Sequence, residues 1–242
     1  MRKFPAKRTI SPPTKSAVHG LQVFASLAFF VVILLAKSNG NESVSRWAIP
    51  AFVGMWALDA AWTSWTWSGA ARWTWTGAFA LVFSGDFLIN LTPWGKFSAV
   101  SFALAHSLFI GQYLLVRPFR IRQIAWLLPV AAASVAYLAW TLPLIPQQSI
   151  AITLCAYLVV LSVMLWRAIC TALEGGLRSR GAWILPGATL FYVVDLMVCR
   201  GAAEGSTHWV IRTWICYPAA LVCLGISAWH RASVARRTGE RR

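Results

Sequence analysis

The sequence predicts an all-α polytopic membrane protein: a helical bundle of about eight transmembrane helices with both termini in the cytoplasm. The chain of 242 residues is 58% hydrophobic, and its mean hydropathy is +0.62. Only 12% of the residues are charged, roughly half of what a soluble domain carries. The apolar residues form runs of the length that a bilayer crossing needs, about 20 residues each. These observations exclude an ordinary soluble domain.

Eight apolar segments account for most of the chain. The first follows a basic stretch, as in a signal peptide, but its long apolar run and the poor cleavage site at Ala36-Lys37-Ser38 favour a retained helix. Pro50 falls in the first turn of the second segment, where proline is tolerated. Turn signals such as Thr92-Pro93 and Arg117-Pro118 separate later segments. The eight segments run over about residues 18–36, 47–67, 73–91, 97–116, 124–142, 149–170, 182–198 and 210–229.

Lysine and arginine are divided unequally between the two sides of this predicted bundle. With the N-terminus in the cytoplasm, 17 of the 22 basic residues fall on the inner side, as the positive-inside rule requires. We therefore predict a basic cytoplasmic tail at 1–16, one transmembrane domain at 17–230 and a second basic cytoplasmic tail at 231–242. Topology and contact with anionic lipid at the cytoplasmic face then account for the net charge of +15. Nucleic acid is not a predicted partner, and a bacterial chain of this kind is expected in the plasma membrane.

The acidic residues separate by type. All four Glu lie in loops or the tail, whereas Asp59, Asp86 and Asp195 lie within apolar segments. An ionised group in mid-bilayer costs roughly 2.5–3.5 kcal/mol on insertion scales, so an intramembrane Asp is a candidate functional residue. Hydrogen bonding between helices is the alternative role for each of the three.

Residue counting places two of these carboxylates at a similar depth. Asp86 lies 14 residues after Arg72, and Asp195 lies 15 after Arg180, which is roughly 20 Å from the inner boundary at about 1.5 Å per residue. His106 enters from the outer side and reaches the same level. Two carboxylates in one dry site cannot both be ionised at low cost, so one is expected to hold a proton. Such a pair supplies an acid and a base, as needed to form an oxocarbenium-like species and capture it with water.

Other polar residues in the apolar segments are candidates for supporting roles. Asp59 is expected nearer mid-membrane than the pair, and His106 has a helix-linking role as its alternative. Packing, pocket lining or hydrogen bonding to a ligand is expected of Asn90, Tyr113, Tyr157 and Tyr192. The five Cys form no CxxC pair, and no local metal motif such as HExxH occurs, so no metal or cofactor is predicted.

Four short motifs follow one another in order along the chain. They occupy residues 83–88 (FSGDFL), 97–113 (FSAVSFALAHSLFIGQY), 157–168 (YLVVLSVMLWRA) and 187–195 (GATLFYVVD). In order and spacing they resemble the YhhN-like membrane proteins, the family that includes the lysoplasmalogenases. The resemblance implies eight spans and hydrolysis of the vinyl-ether bond of lysoplasmalogens, a membrane lipid substrate, to a fatty aldehyde and a glycerophospho-base. It places the paired aspartates of the family on Asp86 and Asp195 and its histidine on His106.

The chain departs from the family pattern at several positions. Ile49-Pro50 stands where the family has Lys-Pro, Val100 or Ser101 where it has Gly, Phe109 where it has Tyr, and Val194 where it has Ser. If the family lysine binds a phosphate head group, substrate choice differs here. Three other functions therefore stay open: a proton-coupled transporter, a non-catalytic lipid-binding member of the family, and a metal-dependent hydrolase with His106, Asp86 and Asp195 as ligands.

Overall fold

The computed structural model describes residues 15–65, 67, 69–175, 181–205 and 207–237, and within these it is helical with no strand. The predicted all-α bundle is confirmed, and each predicted segment lies on its own helix. All but the last two residues of the predicted N-terminal tail, and the polar loop at 176–180, lie outside this part of the chain. The helices are α1 (Lys15–Ser38), α2 (Glu42–Ser64), α3 (Gly69–Leu91), α4 (Ser98–Val116), α5 (Leu127–Thr141), α6 (Gln148–Gly175), α7 (Gly181–Glu204) and α8 (Thr207–Arg237).

The start of α5 differs from the prediction because a buried glutamine organises the preceding segment. Gln123 lies in a 3₁₀ helix over Ile121–Trp126, and its side chain accepts a hydrogen bond from Arg167. The backbone carbonyl of Gln123 accepts another from the indole of Trp166. Arg167 is 1% exposed, and its two terminal nitrogens donate to the side chain of Gln123 and to the backbone carbonyl of Arg117. The α-helix therefore begins at Leu127 and not at residue 124.

Five helical stretches of the described chain have the length and apolar character of membrane spans. They are Gly20–Ser38, Gly95–Val116, Ile121–Leu144, Gln148–Glu174 and Ala182–Glu204. A shorter apolar stretch, Cys216–His230, lies within α8. The helices α2 and α3 are less apolar because each carries an arginine and an aspartate, with three Trp and one Thr in α2 and two Trp and two Thr in α3. Five such helices indicate a multi-pass membrane protein, and eight crossings remain a prediction.

Six helices form a closed ring that surrounds the candidate site. Going round the ring, α2 packs against α3, then come α4, α6, α7 and α8, and α8 packs back against α2. Helix α1 lies outside the ring against α2 and α8, and α5 lies outside against α6 and α7. In this order α3 and α7 are opposite each other in the ring.

Helices α2 and α8 close the ring by an unusually near approach. Trp56 of α2 is fully buried, and its ring stacks on that of Trp229 with centroids 5.8 Å apart. A Cβ atom on Gly225 of α8 would overlap the six-membered ring of Trp56. Glycine is therefore the residue that this contact between the two helices accommodates.

Candidate active site

Asp195 of α7 is held by two hydrogen-bond donors from neighbouring helices. Its Oδ2 atom lies 2.9 Å from Nε2 of His106 on α4 and accepts a 2.9 Å hydrogen bond from the hydroxyl of Tyr157 on α6. His106 is fully buried, and 12% of the Asp195 side chain is exposed. The three residues therefore form one network, in which Nε2 of His106 also lies 3.1 Å from the Tyr157 hydroxyl.

Asp86 of α3 has a different partner. Its Oδ2 atom accepts a hydrogen bond from the hydroxyl of Tyr217 on α8, and Asp86 is 5% exposed. The preceding residue, Gly85, allows α4 to approach, because a Cβ there would lie 2.8 Å from the ring of Phe102. A small residue at 85 thus brings the helix of Asp86 against the helix of His106.

Phe191 of α7 contacts both the residues around Asp195 and the residue bonded to Asp86. Its ring meets the imidazole of His106 edge to face with centroids 5.4 Å apart, and it meets the ring of Tyr217 in the same manner at 5.5 Å. The ring centre thus holds two buried carboxylates on opposite helices, and each has its own hydrogen-bond donors. The ring of Phe191 lies between His106, a partner of Asp195, and Tyr217, the partner of Asp86.

Each carboxylate keeps one oxygen available. In the described chain, the hydrogen bonds to Asp86 and Asp195 all go to Oδ2. Oδ1 of each residue is therefore the atom from which a proton can be given or taken. The Nδ1 atom of His106 is buried and has no protein partner among the described residues.

Two further candidate residues lie next to this site or along its helices. Asn90 is one turn beyond Asp86, and its amide donates a 2.8 Å hydrogen bond to the backbone carbonyl of Asp86. Tyr113 is two turns beyond His106 on α4, fully buried and stacked on Phe109. The Tyr113 hydroxyl has no hydrogen-bond partner within the described residues, so it does not join the aspartate network.

Asp59 and Tyr192 lie in separate polar contacts. The Oδ2 atom of Asp59 accepts a 2.9 Å hydrogen bond from the indole of Trp229, which links α2 to α8. The Tyr192 hydroxyl lies 2.7 Å from Oγ of Ser134, at the contact between α5 and α7. Both residues are placed to join helices, which was the alternative role considered for Asp59.

Tyr217 and Phe191 are the site residues that the sequence did not single out. Tyr217 is seven residues into the predicted eighth segment, so the depth count that placed His106 would also have placed it at this level. No comparable signal marks Phe191, because a phenylalanine in an apolar span is ordinary core material.

The metal-site hypothesis required His106, Asp86 and Asp195 to converge on one ion. Over the described part of the chain, no three His, Cys, Asp or Glu side chains are grouped so that they could hold a metal ion. His106 and Asp195 are in contact, while the partner of Asp86 is a tyrosine.

Comparisons with known proteins identify the family of the chain. A model of the YhhN family matches residues 45–228. Two relatives, both named lysoplasmalogenase, come from Mycobacterium bovis and Mycobacterium tuberculosis. Each is 32% identical over 226 residues, which covers 89% of this chain and 73% of the relative. No solved structure matches the chain. The family match spans most of the chain and includes both aspartates and the histidine, and the chain therefore belongs to the YhhN family.

Proposed function

We propose that this protein is an integral membrane hydrolase that cleaves the vinyl-ether bond of lysoplasmalogens to a fatty aldehyde and a glycerophospho-base. The observation that carries the proposal is the pair of buried carboxylates, Asp86 and Asp195, on opposite helices of the ring. Two relatives named lysoplasmalogenase support the substrate class. The apolar helices around the site suit a lipid substrate.

Asp195 is proposed as the ionised member of the pair. Two hydrogen bonds from His106 and Tyr157 to one oxygen stabilise a carboxylate anion, because bonds to a charged acceptor are roughly twice as strong as neutral ones. The anion is placed to stabilise positive charge on the substrate. Its free Oδ1 atom then accepts a proton from water.

Asp86 is proposed as the protonated member. Asp86 has one hydrogen-bond donor, Tyr217, whereas Asp195 has two, so Asp86 is the carboxyl group whose anion is less stabilised and which is cheaper to keep neutral. A neutral Asp86 supplies the proton that a vinyl ether needs on its outer alkene carbon. Proton transfer from a positioned acid contributes typically about 10²–10⁴-fold to rate.

The proposed reaction consumes one water and restores both aspartates. Asp86 protonates the outer carbon, and the adjacent carbon becomes an oxocarbenium ion. Water adds to that carbon as Asp195 takes one of its protons, which gives a neutral hemiacetal. The hemiacetal hydroxyl returns a proton to Asp86, the bond to the glycerol oxygen breaks, and Asp195 gives its proton to that oxygen.

A lipid panel tests the proposed activity. Purified protein is incubated with lysoplasmalogens and with saturated-ether and ester lysolipids of the same chain length, and aldehyde and glycerophospho-base are measured. We expect release only from the vinyl ethers, because only they form an oxocarbenium ion by protonation at carbon. Activity should persist in chelator, and chelator-sensitive turnover would favour the metal-dependent alternative. Substrate flux in proteoliposomes without lipid turnover would instead favour a transporter.

The proposed setting is the plasma membrane of a bacterial cell, with eight crossings and both termini in the cytoplasm. Reporter fusions at the two ends test this arrangement. We expect both fusions to report the cytoplasm, since 17 of 22 basic residues are then on that side. Reporters on opposite sides of the membrane would contradict eight crossings.

A further inference from the structure

A cavity of about 270 Å³ lies where α2 begins and α3 ends, and the proposed mechanism does not use it. Its lining combines a cation, a carboxylate, an indole, a hydroxyl and an aliphatic side chain, from Arg46, Glu42, Trp47, Ser43 and Leu91. Opposite charges and an aromatic face in one open cavity suit a ligand that itself carries both charges.

The charged side chains of Glu42 and Arg46 do not form an ion pair with each other. Glu42 and Arg46 are four residues apart on α2, the spacing at which a helix places side chains side by side. None of the ion pairs within the described residues joins them. Arg46 instead donates from Nε to the backbone carbonyl of Asn90 at 3.0 Å. Its two terminal nitrogens therefore remain available to an anion, and the Glu42 carboxylate remains available to a cation.

The same contact ties the cavity to the candidate acid. Asn90 accepts from Arg46 through its carbonyl and donates from its side chain to the carbonyl of Asp86. Asp86 lies five residues before Leu91 of the cavity lining, which is about 7.5 Å at about 1.5 Å per residue. In a lysoplasmalogen, seven bonds separate the phosphorus from the outer alkene carbon, or roughly 8 Å at the extension of about 3.5 Å per three bonds seen in protein backbone. A phosphate at Arg46 thus places the vinyl ether at the level of Asp86.

We propose that this cavity is the head-group site for a zwitterionic lysophospholipid. Arg46 binds the phosphate, and Glu42 and Trp47 bind the ammonium group of the base. The assignment rests on the proposed function, because it takes a glycerophospho-base lipid as the substrate. The assignment goes beyond that function by naming Arg46, Glu42 and Trp47 as the residues that select the head group.

Binding of a lipid that cannot react tests the site separately from catalysis. The probe is a saturated-ether lysolipid, 1-O-alkyl-glycerophosphoethanolamine, and Kd is measured with the full chain in nanodiscs. We expect Arg46→Gln to weaken binding about tenfold or more, because a charge-assisted contact is lost. Arg46→Lys keeps the charge and should restore most of the affinity. Lys96→Gln, at an exposed cation outside the cavity lining, should leave Kd unchanged.

The carboxylate is tested with a head group of changed charge. Glu42→Gln should weaken binding of the phosphoethanolamine lipid. It should leave unchanged the Kd for a 1-O-alkyl-glycerol phosphate, because that lipid lacks the ammonium group. Glu42 is exposed, so this variant stays informative if Arg46→Gln fails to fold. Equal Kd for wild type, Arg46→Gln and Glu42→Gln would overturn the proposal. The proposal would also be overturned if Arg46→Gln weakened binding of a phosphate-free 1-O-alkyl-glycerol as much as it weakens binding of the phosphoethanolamine lipid.

Competition and turnover separate the remaining alternatives. Free phosphoethanolamine should displace the lipid better than inorganic phosphate, and the reverse order would assign the cavity to free phosphate and contradict a head-group site. If wild type binds the ether lipid through Arg46 but turns over no vinyl ether, the proposed function fails and the site stands. If vinyl ethers are cleaved and Arg46→Gln binds normally, the site fails and the function stands.

Discussion

Asp86→Asn and Asp195→Asn are each expected to lower aldehyde release by at least about a hundredfold while the protein still folds. The amide has the shape of the carboxyl group, but it can neither donate the proton that attacks carbon nor take one from water. Initial rates with a vinyl-ether lysolipid measure the loss, and elution as a monodisperse peak with an unchanged unfolding midpoint shows that the fold survives.

Asp59→Asn is the matched control for both variants. Asp59 is also a buried carboxylate within the ring, but its partners are Trp229 and Thr63 and neither is a residue of the proposed site. We expect this variant to keep wild-type kcat. Full activity in either Asp86→Asn or Asp195→Asn would end the proposed mechanism.

Among glycine-to-alanine substitutions in the described helices, Gly225→Ala is expected to cause the largest loss of stability. The added methyl overlaps the buried Trp56 ring, which also stacks on the ring of Trp229. Overpacking of this kind costs about 1–3 kcal/mol and occasionally more. The unfolding midpoint in detergent should fall accordingly.

Gly111→Ala provides the control, because a Cβ at that α4 position would meet only Thr74 Cγ2 at an ordinary 3.7 Å. A double-mutant cycle then identifies the cause. Gly225→Ala should cost much less in a Trp56→Leu background, where the overlapping ring is gone. The same cost in both backgrounds would show that the α2–α8 contact is not the reason.

The sequence was sufficient for the eight helices because each predicted segment is mainly apolar and is bounded by turn residues, even in the less apolar α2 and α3. It was also sufficient to single out Asp86, Asp195 and His106, because a charged or titratable group in an apolar segment stands out from its neighbours. Depth along the bundle could be counted from the loops, since the rise per residue of a helix is fixed.

Rotation of each helix about its own axis could not be predicted in this way. It decides that Tyr157 contacts Asp195 while Tyr192, on the same helix as Asp195, contacts Ser134. It also brings Tyr217 to Asp86, from a helix 131 residues further along the chain. Such contacts depend on which helices are neighbours in the ring, and the apolar pattern of a membrane helix carries little information on that order.

The start of α5 shows the same dependence on tertiary contacts. Arg167 is one of the 17 basic residues counted on the inner side, yet it is buried and bonded to Gln123 and to the backbone carbonyl of Arg117. A charge count treats every arginine as a surface residue. Burial of this one, with its partners, fixes where the following helix begins.

The open cavity at the start of α2 and the end of α3 and the apolar helices around the ring would give the two proposed products different exits. If the proposed reaction takes place, the polar glycerophospho-base would leave towards water at the helix ends, whereas the apolar aldehyde would remain in the bilayer. Partition into two phases lowers the chance that the products meet again, so it favours the forward reaction. The aldehyde concentration that matters for product inhibition is then the one within the membrane.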